Sequence, residues 1–350
     1  MIKIFTPSFA DESDTNAQNL TVKEVVSRLN PREFHVTLLS EGAPDPRISA
    51  RPNTCVLQWG AHGNTARTLW HLLRDLPDVY FFPREGPLDA GFLRMRRALG
   101  LRTAVVTYVV SGGQLEAGAP RAALVRNIRE GDSVVGNSRH MTQLLREQMR
   151  VPAETVYDGI DQRYFFPGER QSSGPLKVLF AGSLRPYKRI HIVVQQAARW
   201  RQVSFRIAGK GEEEERCQKL TAEMGCNNVS FAGHLSPEKL GEEMRRADIF
   251  LFPSVIEGHP QVLGQAAASG LPAIAMNVYQ PDFVVNGKTG FLAASDEELE
   301  QKLDLLLEKP ELRRSMAEAA IVHARQFDWD SVTQRWGDIF EATFAARHKR

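Results

Sequence analysis

The sequence predicts an α/β protein made of two doubly wound parallel sheets. Three observations lead there. Short apolar runs alternate with helical patterns along nearly the whole chain. The alternation restarts after a polar, Gly- and Ser-rich stretch, Pro167 to Pro175 (PGERQSSGP), which reads as an interdomain linker. With 350 residues and 42% apolar composition, the chain can fill two cores.

In the first half, strands are expected at 2–6, 34–39, 55–59, 79–82, 103–110, 133–136 and 155–157. Helices are expected at 19–29, 65–74, 88–99, 121–129 and 139–149. In the second half, strands are expected at 176–181, 204–208, 229–232, 249–252 and 272–275, with helices between them. The predicted domains are 1–166, joined by a last helix at 330–346, and 167–329. Two such sheets imply a ligand crevice at the carboxyl ends of their strands.

Net charge is +2, so no global field argues for nucleic acid. Three cysteines without C-x-x-C spacing read as reduced, intracellular and metal-free, which points to the cytoplasm. Residues 1–6, MIKIFT, read as a strand and not as a signal peptide, and no apolar run approaches the roughly 20 residues that span a bilayer. The stretch 88–102, LDAGFLRMRRALGLR, interleaves four arginines with apolar residues. Such a helix suits either a peripheral contact with an anionic inner membrane face or a domain helix with snorkelling arginines.

The chain is organised around Ala247 to Ala275. Ile249 to Phe252 form a strand buried on both faces, and a loop leads to Pro260, which fits a first helical turn because it lacks the N–H left unpaired there. A helix follows over 261–269. A strand, a loop and a helix N-terminus form an anion site, since free N–H groups and the helix dipole point at the ligand. Glu257 stands in that loop; alone, it reads as a capping carboxylate.

The run E-G-H-P-Q-V-L-G-Q-A from Glu257 resembles the nucleotide-sugar loop of glycosyltransferase family 4, an E-x7-E pattern. Further stretches extend the resemblance over nearly the whole chain: VVGNS at 134–138, VYDGIDQRYFFP at 156–167, LFAGSLRPYKR at 179–189, IAGKG at 207–211 and FAGH at 231–234. The resemblance implies a GT-B fold, two Rossmann-like domains facing an interdomain cleft. It also implies a retaining, metal-independent transfer of a sugar from a nucleotide-diphosphate donor to an acceptor hydroxyl on a glycan, a lipid-linked group or a small molecule. No cofactor is implied beyond that co-substrate.

By the same resemblance, Lys188 and Arg185 stabilise the leaving phosphate and Glu257 supports the sugar. The donor is lined by Gly182, Ser183, Gly209, Lys210, Gly233, His234, Gly258, His259 and Pro260. The backbone N–H groups of Gln261 and Val262 hold a phosphate oxygen, and Gln265 takes the ribose contact. Three positions depart from the pattern: Ser183 replaces an Arg, Gln265 the second Glu, and Val109 a His. These departures suggest the alternative, a nucleotide-sugar-binding protein that has lost transfer. In the first half, Asn16, Asn19 and His62 are candidates for acceptor or substrate contacts, against capping for the asparagines and an ordinary loop histidine for His62. Asp328 and Asp330, in a D-x-D spelling, read as caps of the last helix and not as metal ligands.

Overall fold

The computed structural model describes residues 1–12, 17–60, 64–110, 115, 120–168 and 174–349. The chain divides into two compact units, Met1–Gly159 with Trp329–Arg350, and Ile160–Asp328.

The first unit is a seven-stranded sheet of β1 (Ile2–Phe9), β2 (Phe34–Ser40), β3 (Thr54–Gln58), β4 (Val79–Phe81), β5 (Ala104–Val109), β6 (Ser133–Gly136) and β7 (Glu154–Thr155). Their order is β3-β2-β1-β4-β5-β6-β7, and every pairing is parallel. Parallel strands need long crossovers, which is why helices alternate with them in the sequence. β5 is buried at all six positions, as a strand covered on both faces must be. The last helix, Trp329–His348, completes the core: the Trp336 ring lies 4.8 Å from that of Phe81 and 4.9 Å from that of Tyr108.

The second unit repeats the winding in a six-stranded parallel sheet of β8 (Lys177–Ala181), β9 (Ser204–Ala208), β10 (Val229–Gly233), β11 (Ile249–Phe252), β12 (Ala273–Met276) and β13 (Gly290–Ala293). Its order is β10-β9-β8-β11-β12-β13. Strand order reverses at β1/β4 in one sheet and at β8/β11 in the other. At such a point neighbouring loops leave in opposite directions and open a space for a ligand.

The chain enters the second unit at Ile160, earlier than the polar 167–175 stretch expected as the linker, of which 169–173 lie outside the described residues. Packing explains the early entry. A Cβ on Gly264 would lie 2.7 Å from Ile160 Cδ1, and Arg245 Nη1 donates to the Tyr164 carbonyl at 2.8 Å. Elements not anticipated include β13, the one-turn helix Pro46–Ser49, and the helices Asp296–Glu308 and Pro310–Ala324.

The 88–102 stretch lies mainly in the helix Pro87–Ala98. Phe92 and Leu93 face the core, Arg96 Nε donates to the Thr103 carbonyl at 2.8 Å, and Arg97 pairs with Glu130. Arg94, Leu99 and Arg102 remain exposed. Asp330 faces Arg28 at 3.5 Å in the first turn of the last helix. Among the described residues no group of three or more His, Cys, Asp or Glu is placed to hold a metal, and no helix is long and apolar enough to cross a membrane.

Candidate functional site

In the second unit, three loops at the carboxyl ends of β8, β9 and β10 are locked together by backbone bonds. Gly182 N donates to Ala208 O at 3.0 Å, Leu184 N to Lys210 O at 2.9 Å, and Gly209 N to Gly233 O at 2.7 Å. The contacts leave no room for side chains. A Cβ on Gly209, where φ is +140°, would sit 1.8 Å from Gly182 O, and one on Gly211 would sit 2.3 Å from Leu184 O. Glycine is required at both because only it permits that approach.

The β8 loop continues into a 3-10 turn, Pro186–Lys188, and then the helix Ile190–Arg199. Lys188 is thus not a solvated residue at a helix start. It is buried, with Nζ 4.8 Å from the Phe252 ring centroid and 5.4 Å from that of Tyr187. Ring faces attract a cation, so the two aromatics help hold the ammonium in place. Its ion-pair partner is Glu257. The Ser254 hydroxyl also donates to that carboxylate, and Ser254 itself is fully buried. Val255 N donates to Tyr187 O at 3.0 Å, joining the loop after β11 to the loop after β8.

Glu257, expected against the donor sugar, is therefore also the partner of the lysine expected on the phosphates. Side-chain exposures of 10% for Lys188 and 12% for Glu257 leave one edge of the pair open. Beyond it begins the helix Gln261–Ala268, whose N-cap residue is Pro260. No side chain caps this helix and no acidic residue stands in its first turn, whereas Ser138, Ser236 and Ser295 cap theirs. Its first N–H groups are available to an anion. Gln261, Val262 and Gln265 are half-buried on one face, while Leu263, Gly264 and Ala266 to Ala268 are buried.

Arg185, Lys210 and His234 are exposed around the Gly182 turn, and among the described residues neither Arg185 nor Lys210 has an ion-pair partner. Ser183 and Gly258 are exposed beside them. Arg189 is turned elsewhere, to Asp296. The His259 ring lies against Phe283 with centroids 4.2 Å apart, so its packing partner in this structure is Phe283. Sequence reasoning missed Ser254, Tyr187 and Phe252 as supports of the pair. Their roles are tertiary, and no motif marks them.

The first unit has its own cavity of about 570 Å³ at the carboxyl ends of β1, β4 and β5. Val109, the position expected to hold a His, lines it. So does Asn19, which is not a helix cap: it lies inside the helix Ala17–Arg28, and its Oδ1 accepts from Arg84 Nη2 at 2.5 Å and Phe9 N at 3.4 Å. Arg84 stacks over Phe82 at 4.2 Å and donates to Ser8 Oγ at 3.0 Å. Below the cavity, Asp158 accepts from the Tyr108 hydroxyl at 2.9 Å and from Thr21 Oγ1 at 3.0 Å. Asn16 and His62 lie outside the described residues.

Residues 161–323 match the family model described as "Glycosyl transferases group 1". The D-inositol 3-phosphate glycosyltransferase of Corynebacterium efficiens is 31% identical over 216 residues, covering 54% of this chain and 51% of that protein. The chain spans about half the length of the curated relatives it matches. Among solved structures, sucrose-phosphate synthase of Thermosynechococcus elongatus superposes with a TM-score of 0.79 at 18% identity, over 99% of this chain and 100% of that one. Anabaena HepE, solved in complex with UDP and glucose, gives 0.73 at 16% identity, over 98% and 100%. Both sheets thus belong to a GT-B fold of two Rossmann-like α/β domains.

Proposed function

We propose that the chain is a retaining, metal-independent glycosyltransferase of the family-4 kind that takes its sugar from a nucleoside diphosphate donor. The observation that carries this reading is the Lys188–Glu257 pair, set at the strand-order reversal beside an uncapped helix N-terminus. The group 1 match over the same residues supports it.

An ammonium has three N–H donors, so Lys188 can keep Glu257 and still bond a phosphate oxygen. Arg185, Lys210 and the N–H groups of Gln261 and Val262 would share the diphosphate charge. These groups stabilise the charge that grows on the leaving oxygen as the bond from sugar to phosphate breaks. The acceptor hydroxyl forms its bond on the face the phosphate leaves and passes its proton to the departing phosphate oxygen, so no protein nucleophile is needed. Glu257 supports the positive charge developing on the sugar, and Gln265 takes the ribose. The cationic side chains occupy the role a divalent ion would fill. The cavity of the first unit would receive the acceptor. A membrane contact through 88–102 would rest on the exposed Arg94, Arg97, Leu99 and Arg102, because Leu88, Phe92 and Leu93 are buried in the core.

The test is a thermal-shift and calorimetry screen against UDP-, GDP-, ADP- and TDP-sugars, followed by donor turnover with and without excess EDTA. Binding raises the melting temperature by mass action. EDTA-resistant hydrolysis or transfer is the expected result. Binding without any turnover at saturating donor would favour a nucleotide-sugar-binding protein, and loss of activity restored by Mg²⁺ or Mn²⁺ would overturn the assigned roles.

A further inference from the structure

β12 ends in a 3-10 turn, Asn277–Tyr279, and Gln280 follows with φ +45°. Asn277, Val278 and Gln280 are exposed, but Tyr279 is 4% exposed: the loop turns this one side chain inward. Its hydroxyl is buried and has no hydrogen-bond partner among the described groups. Buried tyrosine hydroxyls are ordinarily bonded, because an unmet polar group keeps the full cost of its lost hydration. Such an orphan calls for a functional explanation.

Position supplies one. β12 pairs with β11, Ala275 beside Phe252, so the loops leaving these two strands are neighbours. Glu257 stands in the other loop. Burial first, and then the Glu257 carboxylate, push the phenol well above its ordinary pKa, so the two groups are within electrostatic reach and Tyr279 stays protonated. An ionised carboxylate can only accept hydrogen bonds, whereas a phenol can donate one. A sugar hydroxyl needs one acceptor for its hydrogen and one donor for its oxygen.

We propose that Tyr279 and Glu257 together read one hydroxyl of the donor's sugar, with Glu257 accepting from it and Tyr279 donating to it. This makes Tyr279 a specificity-determining residue, and it rests on the donor reading above. No motif marks the residue, and no sequence expectation included it.

The experiment compares wild type with Tyr279→Phe, which keeps the ring and removes only the hydroxyl. The variant should bind the best nucleotide-sugar of the screen roughly two- to tenfold more weakly, the range of one neutral hydrogen bond. It should bind the bare nucleoside diphosphate as wild type does. Against donors deoxygenated at single sugar positions, the gap between the two proteins should close for one donor and persist for the others. Its melting temperature without ligand should equal or exceed that of wild type. Equal affinity of both proteins for the nucleotide-sugar overturns the assignment of Tyr279 alone. So does an equal loss toward the bare diphosphate, or a clear loss of stability without ligand, which would show that the hydroxyl already has a structural partner. A wild type that binds no nucleotide-sugar overturns the donor reading itself.

Discussion

Among the residues, Lys188 has two partners to satisfy with one charge: Glu257, and by the reading above a donor phosphate. Lys188→Ala should weaken donor binding by roughly 1.5–3 kcal/mol, the value of a charged hydrogen bond. It should slow turnover by about 10²–10³, because the charge it answers is largest in the transition state. Calorimetry and single-turnover rates separate the two losses; wild-type turnover would remove Lys188 from the chemistry. Both members of the pair could be picked out in the sequence, because each sits in a recognisable run. Their contact could not, since 69 residues separate them and a motif says nothing of its neighbour in space. In the first unit, Asp89 offers a measurement of another kind. It is 2% exposed, accepts from the Tyr80 hydroxyl at 2.9 Å, and is pushed by burial to a pKa of about 6. Below about pH 4 the carboxyl is protonated in folded and unfolded chains alike. From there to about pH 6 the unfolded chain loses the proton while the folded one keeps it, so stability falls as pH rises. The loss is on the order of 3 kcal/mol and is complete above the folded pKa. Asp89→Asn should lose that much less between pH 4 and pH 7.5 in urea denaturation, and parallel pH profiles would refute the account.

At the level of elements, the glycine turns after β8, β9 and β10 act as one unit. Gly209→Ala should cost about 3 kcal/mol or more, combining an unfavourable φ with a Cβ driven into the Gly182 carbonyl. It should also abolish nucleotide binding, because the Gly182 turn would have to move. Gly225, at φ +61°, has open space around it, so Gly225→Ala should cost only about 1–2 kcal/mol. Equal melting temperatures for the two variants would show that backbone conformation, not the loop contact, sets the cost. A strand such as β11 was legible because its continuous apolar run, IFLF between Asp248 and Pro253, has few other readings at that length. Ends were less so: β1 runs on to Phe9 through Pro7 and Ser8, residues that ordinarily mark a turn. The entry into the second unit escaped notice for a similar reason. Composition announces solvent-exposed chain, and the polar 167–175 stretch supplied that signal, whereas the crossing itself is held by glycines pressed against side chains: Gly159 against Trp329 in one unit, and Gly264 against Ile160 in the other.

For the whole molecule, the notable fact is where the chain leaves and re-enters the first unit. Ile160 N donates to Phe327 O at 2.6 Å, so the two ends of the second unit are hydrogen-bonded neighbours. Gly159 and Trp329, the matching ends of the first unit, are likewise in contact. Segment 160–328 is therefore topologically an insert, and a unit with adjacent ends loses little when it is cut free. Expressed alone, it should fold cooperatively and bind the nucleoside diphosphate within about threefold of the full chain, since every proposed phosphate and ribose contact lies inside it. A molten or aggregated product would show that the first unit is needed for its core. The same adjacency makes this segment a cassette. A module of like end-to-end spacing, carrying a different residue at the Tyr279 position, could be spliced between Gly159 and Trp329 without redrawing the host sheet; on the readings proposed above, that would exchange the choice of sugar while the proposed acceptor cavity is inherited unchanged.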